Sequence, residues 1–240
     1  MGKEWFSEWF DENYLLIYKH RNMEDAGSQF DLILKEVAPE KGWKILDLAC
    51  GEGRYSSLFK NRGYNITGID LSEILIKSGK EKFPGLKLEV CDMRKISGNY
   101  DLILSLFTSF GYFEDEKEDR KVISGIYRSL NPGGLFWIDF FNSEYIKNTL
   151  IKKSSTIITE GVTVKEEREI TGGRINKKII FESESGKKEY FESVRMYTKN
   201  DLVEMMNSNR LKVEKIFGDY AGSEWDERSE RVIIVCRKQA

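Results

Sequence analysis

Between residues 43 and 141, short apolar segments alternate with amphipathic segments of helical spacing. The apolar segments predict five strands, at 43–48, 64–70, 86–90, 100–107 and 135–141. Strands that alternate with helices in this way favour a parallel sheet with helices on both of its faces. The alternation therefore predicts an α/β fold.

The pattern changes after this region. Residues 154–198 are rich in β-branched and alternating charged residues with Gly-containing turns, which predicts antiparallel ribbons with one solvated face. A helix that begins at Thr198 and two final strands follow. We therefore predict a main domain over 1–150 and 197–240, whose first 40 residues form a helical cap, and an antiparallel insert over 151–196.

Composition limits the kind of protein. The chain has 240 residues, of which 40% are hydrophobic and 32% charged, and its net charge is −2, so neither nucleic acid nor anionic lipid is generally attracted. No apolar run approaches the ~20 residues of a membrane span, and the acidic, aromatic N-terminus is unlike a signal peptide. Cys50, Cys91 and Cys236 lie far apart, which favours a reducing, cytoplasmic setting.

The segment ILDLACGEGRYS, at residues 45–56, reads as a strand, a glycine turn and the start of a helix. Such a turn lets the backbone approach a ligand closely and directs helix N–H groups at it. A P-loop is excluded because no GK[ST] follows Gly53, and a dinucleotide fingerprint is only partly met because Ser56 replaces its third glycine. The turn alone leaves open a dinucleotide, a sulfonium cofactor or no ligand.

Polar residues at the next strand ends narrow these alternatives. Asp70 ends the second strand, where an acid can accept both hydroxyls of a ribose. Asp92 follows the third strand and is suited to an adenine amino group, with Met93 beside the ring. The fourth strand leads into SLFTSFGYF, an aromatic wall with small hydroxyls. Because these ends share one edge of a parallel sheet, we expect an adenosine-containing ligand there.

The motifs ILDLACGEGRYS, GIDLS, CDMR, YDLILSLFTSFGYF and LNPGG occur in the order found in the class I S-adenosylmethionine-dependent methyltransferases. The chain resembles that family, and especially its small-molecule type, such as glycine/sarcosine and aminosugar N-methyltransferases. The resemblance implies a Rossmann-like, seven-stranded, mostly parallel sheet with an antiparallel seventh strand. It also implies that the insert is a lid over the substrate, for which a dimer contact is the alternative role.

The implied cofactor is S-adenosyl-L-methionine, with S-adenosyl-L-homocysteine as product, and no metal is expected because the sequence shows no ligand cluster. By resemblance, the cofactor-binding residues are Tyr14, Arg21, Asp47, Ala49, Gly51, Gly53, Asp70, Leu71, Asp92, Met93 and Leu106. Arg21 would pair with the methionine carboxylate, and Tyr14 would close over the cofactor. A solvated helix residue and a core residue are the respective alternatives.

Methyl transfer is an in-line displacement, so the protein mainly positions its reactants. A base is needed only when the acceptor must lose a proton first. His20 is a candidate base, although an exposed helix residue is the alternative. Tyr112 is the candidate for orienting the acceptor, helped by Thr108 and Ser109, and a packed turn is the alternative for all three.

The methyl acceptor is the part of the function that the sequence determines least. The fourth strand lacks the [DN]PP[YF] motif of enzymes that methylate adenine or glutamine, and no basic, aromatic ribbon indicates RNA. We therefore expect nitrogen or oxygen of a small molecule, in a monomer or homodimer. Arg195 and Arg231 would face an anionic acceptor or form structural ion pairs. Methylation of a protein or RNA, an NAD(P)-dependent oxidoreductase and a non-catalytic S-adenosylmethionine-binding domain are the alternatives.

Overall fold

The computed structural model describes residues 4–18, 23–184 and 186–239. Its helices are α1 (Phe6–Trp9), α2 (Glu12–Ile17), α3 (Met23–Val37), α4 (Arg54–Asn61), α5 (Glu73–Lys82), α6 (Glu116–Ser129), α7 (Ser143–Thr149) and α8 (Lys199–Ser208), with a 3-10 turn at Met93–Lys95. Its strands are β1 (Lys44–Leu48), β2 (Asn65–Asp70), β3 (Lys87–Val90), β4 (Tyr100–Ser105), β5 (Leu130–Phe141), β6 (Lys153–Thr159), β7 (Val162–Thr171), β8 (Arg174–Ser183), β9 (Gly186–Arg195), β10 (Leu211–Phe217) and β11 (Arg231–Lys238).

The strands form two sheets. The main sheet has seven strands in the order β10-β11-β5-β4-β1-β2-β3. Strands β1 to β5 pair in parallel, whereas β11 runs antiparallel to both β5 and β10. The predicted Rossmann-like sheet with an antiparallel seventh strand is therefore confirmed.

Two strand boundaries differ from the sequence prediction. Strand β4 ends at Ser105 rather than at 107, since Phe107 has a left-handed backbone (φ 53°) that cannot continue a strand. Strand β5 begins at Leu130 rather than at 135, because Leu130 pairs with Tyr100 ahead of a register shift. The glycines of NPGG thus lie within a strand irregularity and not in a separate loop.

Hydrophobic cores lie on both faces of the main sheet. On β5, Phe136 packs in the cluster that includes Ile126 of α6 and Met206 of α8, while Trp137 packs with Phe59 of α4 on the opposite face. Phe136 and Trp137 have no exposed surface. Burial of an apolar side chain contributes about 1.5–3 kcal/mol, so these layers fix the sheet that carries the site.

The second sheet is antiparallel, in the order β6-β7-β8-β9, and spans the predicted insert. Its inner face packs against the first helices of the chain, where Trp9 and Ile17 meet Val164, Ile179 and Phe181. Within the residues that the structure describes, no helix combines the length and apolar character needed to cross a membrane.

Candidate functional site

The carboxyl ends of β1 to β4 border a cavity of about 270 Å³, called the first cavity. The predicted cofactor residues that line it are Tyr14, Asp47, Ala49, Gly51, Asp70, Leu71, Asp92, Met93 and Leu106. The candidate Tyr112 also lines it, as does Ser109, whose hydroxyl donates to the Leu106 carbonyl at 2.8 Å. His20 and Arg21 lie outside the described residues.

Gly53 does not line the cavity, although the resemblance places it at the cofactor. It is the N-cap of α4 with φ +80°, and a Cβ there would lie 2.8 Å from Leu86 Cδ2 and 3.0 Å from Leu88 Cδ2. Gly53 is therefore required by its backbone conformation and by the packing beneath the turn. Gly51 also has a positive φ, of 58°, but it borders the cavity directly.

Asp70 connects β2 to the glycine turn. Its Oδ2 accepts a hydrogen bond from the Gly51 N–H at 2.8 Å, and its Oδ1 accepts one from the Ser72 N–H at 2.8 Å. The side chain is buried, and burial raises the pKa of Asp70. Each carboxylate oxygen keeps a further lone pair, so Asp70 can still accept hydrogen bonds from a ligand.

Asp47, at the end of β1, is the more deeply buried acid, with 1% of its surface exposed. Its Oδ2 accepts a hydrogen bond from Ser56 Oγ at 2.6 Å, and burial raises the pKa of Asp47 to about 7. The positive charge of Arg54 acts to lower this pKa and the negative charge of Asp70 acts to raise it, but burial has the largest effect. A positively charged ligand would further favour the ionised form, which fits a sulfonium cofactor carrying an ammonium group.

Asp92 is engaged by a neighbour that the sequence analysis missed. Arg94 donates to both carboxylate oxygens through Nε and Nη2, at 2.6–3.0 Å, and Nη1 of Arg94 also lies 2.9 Å from a carboxylate oxygen of Glu4. Burial opposes ionisation, but the hydrogen bonds from Arg94 outweigh it and lower the pKa of Asp92. An adenine amino group would therefore share this carboxylate with Arg94.

Aromatic side chains from the N-terminal helices cover the first cavity. Asp11 caps α2 by accepting from the Tyr14 N–H at 3.1 Å, which orients the first turn of that helix. The ring of Tyr14 lies 4.9 Å from Phe10, and the ring of Tyr112 lies 5.0 Å from Trp5. Phe10, Tyr14 and Tyr112 therefore give the first cavity an aromatic wall beside its acidic strand ends.

A second cavity of about 220 Å³ adjoins the first. The two share four aromatic lining residues: Phe10, Tyr14, Phe107 and Tyr112. The rest of the second cavity is lined by Trp5, Thr108, Phe141, Arg168, Ile175, Lys177, Glu192, Val194 and Arg231. The antiparallel sheet therefore forms one wall and the main sheet forms the opposite wall.

The chain leaves β4 through a strained turn. Phe107 and Thr108 both have left-handed backbones, with φ of 53° and 62°, which costs about 1–3 kcal/mol per residue. The buried Asp139 holds the turn, since its Oδ2 accepts from the Phe107 N–H at 2.9 Å and from the Tyr220 hydroxyl at 2.9 Å. Arg231 pairs with Asp139 at 2.7 Å and donates to Thr108 Oγ1 at 3.0 Å.

Arg174 of β8 fastens the loop that carries Tyr112. Its guanidinium donates to the carbonyl oxygens of Gly111, Tyr112 and Phe113 at 3.0–3.1 Å. By contrast, Arg195 lines neither cavity, and its Nη2 donates to the Glu114 carbonyl at 2.6 Å. The expectation that Arg195 faces an acceptor is not met, because its side chain supports this loop from outside.

Comparison with known proteins agrees with this geometry. Residues 45–134 match a family model described as a methyltransferase domain. A glycine/sarcosine N-methyltransferase from Halorhodospira halochloris is 27% identical over 89% of this chain and 82% of its own length. A dTDP-3-amino-3,4,6-trideoxy-alpha-D-glucopyranose N,N-dimethyltransferase from Streptomyces venezuelae is 26% identical over 52% of this chain and 54% of its own.

Solved structures show the same fold. An S-adenosylmethionine-dependent methyltransferase from Clostridium acetobutylicum gives a TM-score of 0.80 at 20% identity, over 95% of this chain and 98% of that one. The S-adenosylmethionine-bound amino pentose methyltransferase CalS10 from Micromonospora echinaspora gives 0.70 at 19% identity, over 95% and 97%. The matched domain, the relatives and the shared fold all support a class I S-adenosylmethionine-dependent methyltransferase.

The match over residues 45–134 and the shared fold agree with the predicted enzyme class and cofactor. The chain spans about half the length of the first curated methyltransferases that it matches, 56% and 54%. Among the residues that the structure describes, no group of three or more His, Cys, Asp or Glu side chains could hold a metal ion.

Four residues named from the sequence line the second cavity, namely Tyr14, Thr108, Tyr112 and Arg231. Asp139, Arg174 and Lys177 were not predicted. A charged residue within the apolar strand LFWIDFF could have indicated Asp139. Arg174 and Lys177 lie among the charged residues of the insert, which are typical of a solvated strand face. Their roles depend on which face of the antiparallel sheet is covered.

Proposed function

We propose that this chain transfers the methyl group of S-adenosylmethionine to a nitrogen or oxygen atom of a small polar molecule. The observation that carries the proposal is the pair of adjoining cavities. The first lies at the strand ends and contains acidic residues, and the second is bordered by the antiparallel sheet. The four shared aromatic residues mark the boundary at which a cofactor and an acceptor would meet.

When bound, the cofactor would supply a methyl group that is attached to a positively charged sulfur. The acceptor atom would displace this sulfur, so that the C–S bond breaks and S-adenosylhomocysteine forms. Asp47 and Asp70 balance the positive charge from within the first cavity, and Asp70 is placed to accept ribose hydroxyls. Tyr14 and Phe10 exclude water. Tyr112 borders both cavities and is our candidate for orienting the acceptor.

The remaining assignments are part of the same proposal. Arg21 would bind the methionine carboxylate, and His20 would be a base only for an oxygen acceptor, since a neutral amine needs none. Ala49, Leu71, Met93 and Leu106 contribute to the cofactor wall.

Several broader expectations also stay proposals. The insert 151–196 is a lid over the acceptor, with a dimer contact as its alternative role. We also propose that the protein is cytoplasmic, that it is a monomer or a homodimer, and that it has no nucleic-acid partner.

The names of the relatives support a nitrogen acceptor in a small molecule, because one acts on glycine or sarcosine and another on an amino sugar. The main alternative is methylation of a macromolecule. The wall formed by the antiparallel sheet favours the small molecule, since a protein side chain or an RNA base would have to reach past it.

The test is formation of S-adenosylhomocysteine from S-adenosylmethionine, measured by mass spectrometry with a panel of small amines and hydroxy compounds. We expect turnover with at least one of them and a reduced rate for Tyr112→Phe. Tyr100→Phe is the matched control, because its hydroxyl donates to the Ser97 carbonyl at the other end of β4. Turnover only with protein or RNA, or none despite cofactor binding, contradicts the proposal.

A further inference from the structure

The inner face of the antiparallel sheet carries a row of charges. Arg168, Lys177 and Glu192 lie side by side across β7, β8 and β9. On the same face, the row on one side of them consists of Glu166, Ile179 and Tyr190, and the row on the other side is wholly apolar: Ile170, Ile175 and Val194. All three charged residues line the second cavity.

These charges are held away from solvent. The side chains of Lys177 and Glu192 are 15% and 19% exposed, and the two form an ion pair of 2.6 Å. Lys177 also donates to the Tyr18 hydroxyl at 2.6 Å, and Arg168 pairs with Glu166. Covered ion pairs are seldom better for stability than apolar residues of similar volume. The row binds the N-terminal helices through Trp9 and Tyr18 and also gives the second cavity a polar wall.

Arg231 lies on the opposite wall of the same cavity. Its Nε and Nη2 bind Asp139, and Nη2 also binds Thr108. Its Nη1 makes no hydrogen bond within the described residues, and 18% of the side chain is exposed. A guanidinium fixed on one edge by a carboxylate offers its remaining nitrogen to an oxygen atom of a ligand.

The two cavities differ in the charges on their described walls. The first is lined by four acids (Asp47, Glu52, Asp70 and Asp92) and two bases (Arg54 and Lys82). The second is lined by three bases (Arg168, Lys177 and Arg231) and one acid (Glu192). Each base of the second cavity is paired with an acid, so an anionic ligand is indicated there by the Nη1 of Arg231, which no described residue bonds, and not by an excess of positive charge.

We propose that the second cavity binds a methyl acceptor that carries a carboxylate, and that Arg231 is the residue that binds this group. The inference rests on the proposed function and adds the chemical class of the acceptor. At about 220 Å³ the cavity is smaller than drug-sized pockets, so the acceptor is a compact metabolite. For an amine acceptor, the nitrogen lone pair forms the new C–N bond, the C–S electron pair stays on sulfur, and the product ammonium releases one proton to water.

The experiment compares matched acceptors on the full chain with S-adenosylmethionine. Glycine, 3-aminopropionate and 4-aminobutyrate are each offered beside their carboxamides, and S-adenosylhomocysteine formation is followed. We expect at least one carboxylate to be used with a kcat/KM at least tenfold above that of its carboxamide. This comparison needs no variant, so it does not depend on the folding of a mutant protein.

The variant Arg231→Gln tests whether Arg231 is the residue that binds the carboxylate of the acceptor. We expect the KM for the carboxylate to rise at least tenfold and the preference over the carboxamide to disappear, with the Kd for S-adenosylmethionine changed less than twofold. Arg237→Gln is the matched control, because Arg237 lies on the same strand and pairs with Glu214. It is expected to leave both parameters unchanged. Arg231→Gln/Asp139→Asn, which leaves no unpaired buried carboxylate, is the second variant if the single one is unstable.

Equal use of the carboxylate and carboxamide members overturns the inference, as does an unchanged preference in Arg231→Gln. The inference also fails if no carboxylate is methylated and none slows modification of Arg231 by phenylglyoxal, while S-adenosylmethionine still binds. In that case the assignment of the first cavity as the cofactor site would not be affected. If the wild type does not bind S-adenosylmethionine, that result would instead contradict the proposed function itself.

Discussion

We predict that the affinity for S-adenosylmethionine rises with pH through the ionisation of Asp47. Asp47 is 1% exposed, and burial raises its pKa to about 7. At lower pH its carboxyl is protonated and must lose the proton before it can balance a cationic cofactor. If only the ionised form binds, the affinity increases about 15-fold between pH 5.5 and pH 7.

Isothermal titration calorimetry tests this prediction in buffers with different heats of ionisation, which reveals the protons released on binding. S-adenosylhomocysteine lacks the charge on sulfur, so its affinity should depend less on pH. Asp47→Asn keeps the size of the side chain and removes the titrating group, and its affinity should not change with pH in this range. The reasoning would be refuted if the affinity of the wild type did not change with pH, or if the affinity of Asp47→Asn changed with pH as the wild type is expected to.

The same group affects folding with a definite sign. Its pKa is raised from its ordinary value of 3.8, so between about pH 4 and pH 7 the native state binds more protons than the unfolded state. The free energy of unfolding therefore falls as pH rises through this window, by up to about 4 kcal/mol from this one residue. Urea denaturation at pH 5 and pH 7.5 should show a smaller decline for Asp47→Asn.

Two substitutions with matched controls test the architecture around the site by urea denaturation. Arg174→Met removes three hydrogen bonds to loop carbonyls and should lower the free energy of unfolding by about 2–4 kcal/mol. Arg120→Met, which breaks only exposed ion pairs, should cost less than about 1 kcal/mol, and equal costs would contradict the loop-fastening role. Gly53→Ala should cost about 1–3 kcal/mol more than Gly63→Ala, because both have a positive φ but only Gly53 faces close neighbours. No difference between the two would show that packing beneath the turn is not what requires glycine.

The parts of the fold that the sequence predicted are those coded locally. The apolar run of β1 and the acid at the end of β2 are short patterns, and parallel strands bring their carboxyl ends to one edge whatever the details of packing. Asp47, Asp70 and Asp92 accordingly line one cavity. The hydrogen bond from the Gly51 N–H to Asp70 joins two of these segments directly.

The second cavity could be predicted only in part, because its walls are built from residues distant in the chain. Arg231 meets Asp139 across 92 positions, and Arg174 reaches Tyr112 across 62. Their partners depend on strand order and on which face of the antiparallel sheet is covered. The packing around Gly53 could not be predicted for a similar reason, since the side chains of Leu86 and Leu88 that surround it come from around β3.

The central claim is that the first cavity is an S-adenosylmethionine site. Calorimetric titration of the wild type, Asp70→Asn and Asp101→Asn with S-adenosylmethionine, S-adenosylhomocysteine and NAD tests it most directly. Asp101 is the control, because it also accepts hydrogen bonds from a backbone N–H and a side chain, at the opposite end of the sheet. The account predicts that the wild type and Asp101→Asn bind both sulfur compounds and not NAD, and that Asp70→Asn binds them at least tenfold more weakly. Binding of NAD without binding of either sulfur compound would contradict it.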